Sequence, residues 1–251
     1  MLESLRILLS LIMLGYSSFI DLKTREIYDL VWIIFGGLGL IITTYEIYVG
    51  TYSIMSFVIP LVFSIIVSFA LGFLRLFGWA DVLAFIVLTI LNPFPFGVVS
   101  PSLGIVSPVF PITLFSNSAL AGVSFALILL FRNIFITLRG EKLFSSVKAS
   151  PIKKFVLFFS GYRLNMKNLK GPPFQYPLEL PSSEGYNELV LMPDIQDDDA
   201  AWAIFDQLKS MGVEKTWVSY TLPFLIFITI GYIISLLIGD IALYTLTRFL
   251  F

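Results

Sequence analysis

The sequence predicts an all-α membrane protein of six transmembrane helices, with a small α+β cytoplasmic domain inserted between the fifth and the sixth. Three observations predict it. Of the 251 residues, 57% are hydrophobic and 13% charged, where a soluble domain carries about 25% charged residues; the mean hydropathy is +0.92. Six stretches reach or approach the ~20 apolar residues that a helix needs to cross a bilayer core of ~30 Å. Residues 140–215 break the pattern, because they hold 10 of the 17 acidic residues and no such stretch. The division that results is residues 1–139 for helices one to five, 140–215 for the soluble domain, and 216–251 for helix six and the C-terminus.

The spans fall at roughly 4–21, 29–48, 53–75, 79–98, 113–135 and 217–239. The first is longer than the apolar core of a cleavable leader and lacks a small-residue cleavage site, so it reads as a retained helix. Pro60 and Pro223 fall in the third and sixth, where neighbouring helices can re-satisfy a freed carbonyl. The fourth is interrupted at Asn92-Pro93-Phe94-Pro95, and Pro101, Pro108 and Pro111 follow. That uncharged, proline-rich segment is compatible with either the outer interface or a return into the bilayer.

Within residues 140–215, Lys153–Ser160 and Glu188–Met192 read as short buried strands. Asp197–Ser210 reads as a helix: three aspartates suit its positive end, and Ala201, Ile204, Phe205 and Leu208 share a face.

Charge sets the orientation. If the helices alternate, Lys23, Arg25, Arg75, Arg132, Arg139, Lys142, Lys148, Lys209 and Lys215 fall on one side, and only Arg6 and Arg248 on the other. The positive-inside rule makes the first side cytoplasmic and puts both termini outside. Asp21 and Asp81 then stand at the cytoplasmic ends of helices one and four.

Two zeros narrow the chemistry. There is no cysteine and no histidine, which excludes disulfides, thiol nucleophiles, Ser-His-Asp triads and HExxH metal sites. The net charge of −1 offers nucleic acid no basic footprint. Charges in or beside spans are the remaining candidates: Asp21, Glu26, Asp29, Glu46, Arg75, Asp81, Arg132 and Asp240. Glu46, Arg132 and Asp240 lie near span ends and are expected to reach water there, and Arg75 and Asp29 to be interfacial. Asp81 is different, since apolar sequence flanks it on both sides and Gly78 lets the backbone turn or approach closely. Two carboxylates at one depth can face each other and share a proton, one acting as base on water and the other as acid on a carbonyl. That is aspartic peptide hydrolysis, and it needs neither metal nor cofactor.

Asp21-Leu22-Lys23-Thr24-Arg25-Glu26-Ile27 and Gly78-Trp79-Ala80-Asp81 resemble the two signatures of the prepilin peptidase family, membrane aspartic proteases of the GxGD type. The archaeal branch, the preflagellin or class III signal peptidases, is the closer likeness. Trp217–Phe224, Gly231-Tyr232 and Gly239-Asp240 are similar to how that branch ends. The resemblance implies that Asp21 and Asp81 are the catalytic pair, that Gly78 is the first glycine of the GxGD turn, and that Ala80 stands at the second. Leu83 stands where many relatives carry Lys. It also implies flagellin- or pilin-like precursors as substrates, whose basic leader is removed at the cytoplasmic face. Glu26 and Asp29 are candidate leader contacts. Gly36, Gly37 and Gly39 allow close helix approach, for internal packing or for a substrate helix. Substrate binding is expected to bring the two carboxylates together. The rival class is a proton- or cation-coupled transporter using the same carboxylates, against which stand the lack of an inverted repeat and the position of both acids at one face.

Overall fold

The computed structural model describes residues 2–74, 76–145, 147–182, 186–195, 197–220 and 223–250. Arg75, Thr221 and Leu222, singled out above, lie outside them. The elements in chain order are α1 (Leu2–Thr24), α2 (Asp29–Tyr48), α3 (Ile54–Phe73), α4 (Trp79–Leu91), α5 (Phe110–Leu138), β1 (Val147–Lys148) and α6 (Pro151–Ser160). Then follow β2 (Gly161–Asn165), β3 (Gln175–Pro177), β4 (Glu179–Leu180), β5 (Asn187–Leu189), α7 (Asp198–Ser210), β6 (Lys215–Tyr220), α8 (Phe224–Leu237) and α9 (Ile241–Leu250). The chain divides into two compact units, Met1–Gly122 with Pro223–Phe251, and Val123–Leu222.

Among the described residues, α1, α2, α3 and α5 are each long and apolar enough to cross a membrane, and α8 with α9 makes a fifth candidate, bent by 57°. The fourth stretch gives only the 13-residue α4, because Asn92 ends it by turning its own amide onto the Leu88 carbonyl.

In the first unit α4 is the most enclosed helix. Its Val82, Ala84, Phe85, Val87, Leu88 and Leu91 are buried among Met13 and Leu14 of α1, Trp32 of α2 and Leu225, Ile228 and Tyr232 of α8. Small residues let its neighbours approach. Gly36 and Gly39 of α2 face Val87, Ile90 and Leu91, while Gly37 faces open space. On α3 the buried residues are Pro60, Ser64 and Ser68, and Ser64 bonds Thr89. The proline-rich segment folds against the break between α8 and α9: Ser102 and Leu103 donate to the carbonyls of Leu237 and Ile238, and Asp240 donates to Ile105. Gly239 makes this possible with φ 106°, and a Cβ there would stand 2.6 Å from the Ile105 carbonyl oxygen.

The second unit carries two three-stranded sheets, ordered β1-β5-β4 and β2-β6-β3. The helix expected from Asp197 is present as α7: Asp197 caps it by accepting from Ala200, and Ala201, Phe205 and Leu208 are buried. β5 overlaps the strand expected at Glu188. Two expectations are corrected. Lys153–Ser160 is helical, not a strand; Ser150 caps α6 by accepting from Lys153, and Pro151 occupies its first turn. An unbroken apolar run does not distinguish the two, and the cap decides. The sixth apolar stretch does not begin as helix at Trp217, because Trp217 belongs to β6, the central strand of its sheet, and α8 starts only after Pro223.

Candidate active site

Asp21 lies in the last turn of α1. The helix ends four residues on at Arg25, whose backbone takes the left-handed conformation (φ 63°), unusual for a residue with a side chain. That turn brings the Arg25 guanidinium back to 3.6 Å from the Asp21 carboxylate. In the sequence Arg25 reads as a charge at a span end and a member of the Asp21–Ile27 signature, not as a partner of Asp21. A backbone dihedral is not legible in a motif.

Asp81 lies in the first turn of α4 and is 8% exposed. Its Oδ2 accepts from the Gly78 N–H at 2.9 Å, satisfying a donor that the start of the helix leaves unpaired. Gly78 itself has φ −73° and ψ 161°, which any residue adopts, so of the two expected uses of this glycine it is the close approach that the geometry shows. What the glycine supplies is room, since a Cβ there would stand 3.3 Å from that carboxylate oxygen. Ala80 is partly buried against the core around α4.

Asp81 lies within electrostatic reach of both Asp21 and Arg25. The two carboxylates make no hydrogen bond to each other among the described residues: Asp21 pairs with Arg25, and Asp81 with Gly78. Glu26 and Asp29 follow α1 and are exposed.

The other charged candidates divide. Arg132 is exposed, as expected. Glu46 and Asp240 are 4% and 2% exposed, which corrects their reading as solvated span ends. Glu46 pairs with the fully buried Arg6, which also donates to the carbonyls of Ile90 and Leu91 and to Thr43. These are last-turn carbonyls of α4, left open by the helix and at its negative end. α4 is thus closed by a carboxylate at its start and a guanidinium at its end. In the sequence Arg6 is a cation within an apolar helix, and its place near the chain end makes it read as a terminal charge. Asp240 accepts from Thr113 and from the Leu243 N–H, capping α9.

Residues 8–138 match the type IV leader peptidase family, and residues 153–241 match the archaeal peptidase A24 C-terminus, type II. The preflagellin peptidase of Methanococcus maripaludis is 28% identical over 229 residues, covering 88% of this chain and 89% of its own length. Those of Methanococcus voltae and Methanocaldococcus jannaschii are 26% and 27% identical over similar lengths. These relatives are named as peptidases, which gives the transporter reading no support.

Proposed function

This chain belongs to the type IV leader peptidase family and is a membrane protease, and we propose that Asp21 and Asp81 together cut the leader from flagellin- or pilin-like precursors. The observation that carries the proposal is that α1 and α4 pack together and bring the buried Asp81 within electrostatic reach of the partly buried Asp21, in a chain that has no histidine or cysteine. The names of its relatives supply the substrate class.

In this reading the pair holds one proton. The ionised carboxylate takes a proton from water as the water oxygen attacks the scissile carbonyl carbon. The protonated one donates to the carbonyl oxygen as it gains charge. Collapse of the tetrahedral intermediate breaks the C–N bond, and a proton passes to the leaving amine. Because each carboxylate now has another partner, the pair closes only when substrate draws α1 and α4 together, with Arg25 still holding Asp21 in place.

We read six crossings, with α4 and its following loop as the fourth and α8 with α9 as the sixth. The cationic loops make the α1–α2 end cytoplasmic, with both termini outside. Arg6, buried against Glu46, presents no surface charge on the opposite side, which sharpens the asymmetry. The basic leader then meets exposed Glu26 and Asp29 near the pair.

The test is co-expression with a flagellin- or pilin-type precursor, followed by size shift. Asp21→Asn and Asp81→Asn should each abolish processing with normal protein yield, whereas cleavage surviving either change removes the pair from the mechanism.

A further inference from the structure

The helix α6 has two apolar faces. One face of α6 is internal: Leu157 is fully buried, and Phe158 packs with Phe144 and the core that contains Leu143, Leu178, Leu189 and Trp217. Among the described residues of this unit the other is largely uncovered. Ile152 and Phe155 are 75% and 65% exposed, Val156 is exposed beside them, and Phe159 packs edge-on to Phe155. The spacing 152, 155, 156, 159 is one helical stripe.

What covers that stripe follows from where α6 is tied. The Asn133 side chain, fully buried on α5, donates to the carbonyls of Phe158 and Gly161 at 3.1 and 2.8 Å, just where α6 ends. α5 is a 29-residue candidate span, and Asn133 sits between the exposed cations Arg132 and Arg139, in its last turns. Those turns also expose Phe131, Phe135 and Leu138. Aromatic residues among cations at the end of an apolar helix mark a membrane–water boundary. α6 is therefore held at the depth of that boundary.

We propose that α6 is an in-plane membrane anchor, its Ile152-Phe155-Val156-Phe159 stripe set into the headgroup–acyl boundary of the leaflet in which α5 ends. The attachment is chiefly apolar. Lys153 is turned inward to the Leu189 carbonyl, and Lys154 lies over the Phe144 ring. The inference depends on α5 crossing the bilayer and not on the peptidase reading.

The chain has no cysteine, so single labels need no background removal. Ile152→Cys, Phe155→Cys and, as reference, Lys209→Cys on the exposed face of α7 are labelled with an environment-sensitive fluorophore in the full chain in nanodiscs, without substrate. Each is quenched in turn by doxyl-labelled lipid and by iodide. Labels at 152 and 155 should be quenched by the lipid at least about threefold more than the label at 209, and by iodide correspondingly less. Equal quenching at all three sites overturns the proposal, as does shielding of 152 and 155 from both quenchers, which would mean a protein surface covers the stripe. Should either variant elute as an aggregate, Val156→Cys reports on the same stripe.

Discussion

Arg25 Nη1 lies 3.6 Å from Asp21 Oδ1, four residues along the same helix end, and reaches it from a left-handed backbone. That conformation costs roughly 1–2 kcal/mol in a residue with a Cβ. Arg25→Gly should therefore strengthen the end of α1 while slowing precursor cleavage about three- to tenfold, the range expected on losing an ion pair of about 1 kcal/mol. Arg25→Ala should slow cleavage without the gain in stability, and Arg25→Lys should recover most of the rate. Initial rates and thermal unfolding of the three variants in one detergent separate the two effects.

Gly78 leaves space for the Asp81 carboxylate. Gly78→Ala should fold at normal yield, since its backbone angles are ordinary, but cleave several-fold more slowly, because a Cβ would stand 3.3 Å from Oδ2. Displacing a reacting group by about 1 Å can cost 100-fold. Gly78→Val should be slower still, as read by single-turnover cleavage.

The glycines of α2 should rank by what they face. At Gly39 a Cβ meets Ile90 at 3.0 Å and Leu91 at 3.1 Å, at Gly36 it meets Val87 at 3.6 Å, and at Gly37 nothing lies within 4 Å. Overpacking costs about 1–3 kcal/mol. Gly39→Ala should lower the thermal midpoint most, Gly36→Ala little, and Gly37→Ala not at all.

Arg6 and Glu46 form a buried pair. Arg6→Ala strands the Glu46 charge and takes the side-chain donor from the Leu91 carbonyl, a loss of about 3–5 kcal/mol, and should sharply reduce the yield of folded protein. Replacing both residues with methionine should restore part of it, because removing both charges is milder than stranding one. Size-exclusion profiles of the purified variants make the comparison.

Glu179 is a fully buried carboxylate joining two sheets: it accepts from the Trp217 N–H and from Asn187. Burial raises its pKa above the ordinary 4.5, against the lowering effect of those bonds and of Arg163. The folded state therefore binds the proton more tightly than the unfolded state does. Its contribution to stability is present below about pH 4.5 and is lost as pH rises through the raised value. Amide protection around β4 and β6, corrected for intrinsic exchange, should be higher at pH 5 than at pH 7 in the full chain. Glu179→Gln should flatten that dependence.

Hydropathy found α1, α2, α3 and α5 because a long apolar run has one meaning, and three aspartates before an amphipathic stripe announced α7. It failed where two structures share one composition. Lys153–Ser160 suits strand or helix until Ser150 and Pro151 are weighed, and Trp217–Pro223 continues an apolar run whose first half pairs with β2 and β3. Asp81 stands out in the sequence because apolar residues flank it on both sides, whereas Asp21, at a helix end before a basic cluster, stands out through its likeness to the family signature. Their present partners do not, since the Arg25 dihedral and the Gly78 N–H bond depend on the path of the backbone. Glu46 and Asp240 were misjudged because distance along a helix says nothing about which side faces protein.

α4 has 13 residues, about 20 Å of helix, whereas the surrounding hydrocarbon is ~30 Å deep. Protein, not lipid, borders α4, because α1, α2, α3 and α8 enclose it, so the loop after Asn92 makes up the missing length. Hydrolysis consumes a molecule that oil excludes. In the proposed reaction that reagent has only to reach the start of this short rod, where Asp81 stands, and not the middle of the bilayer.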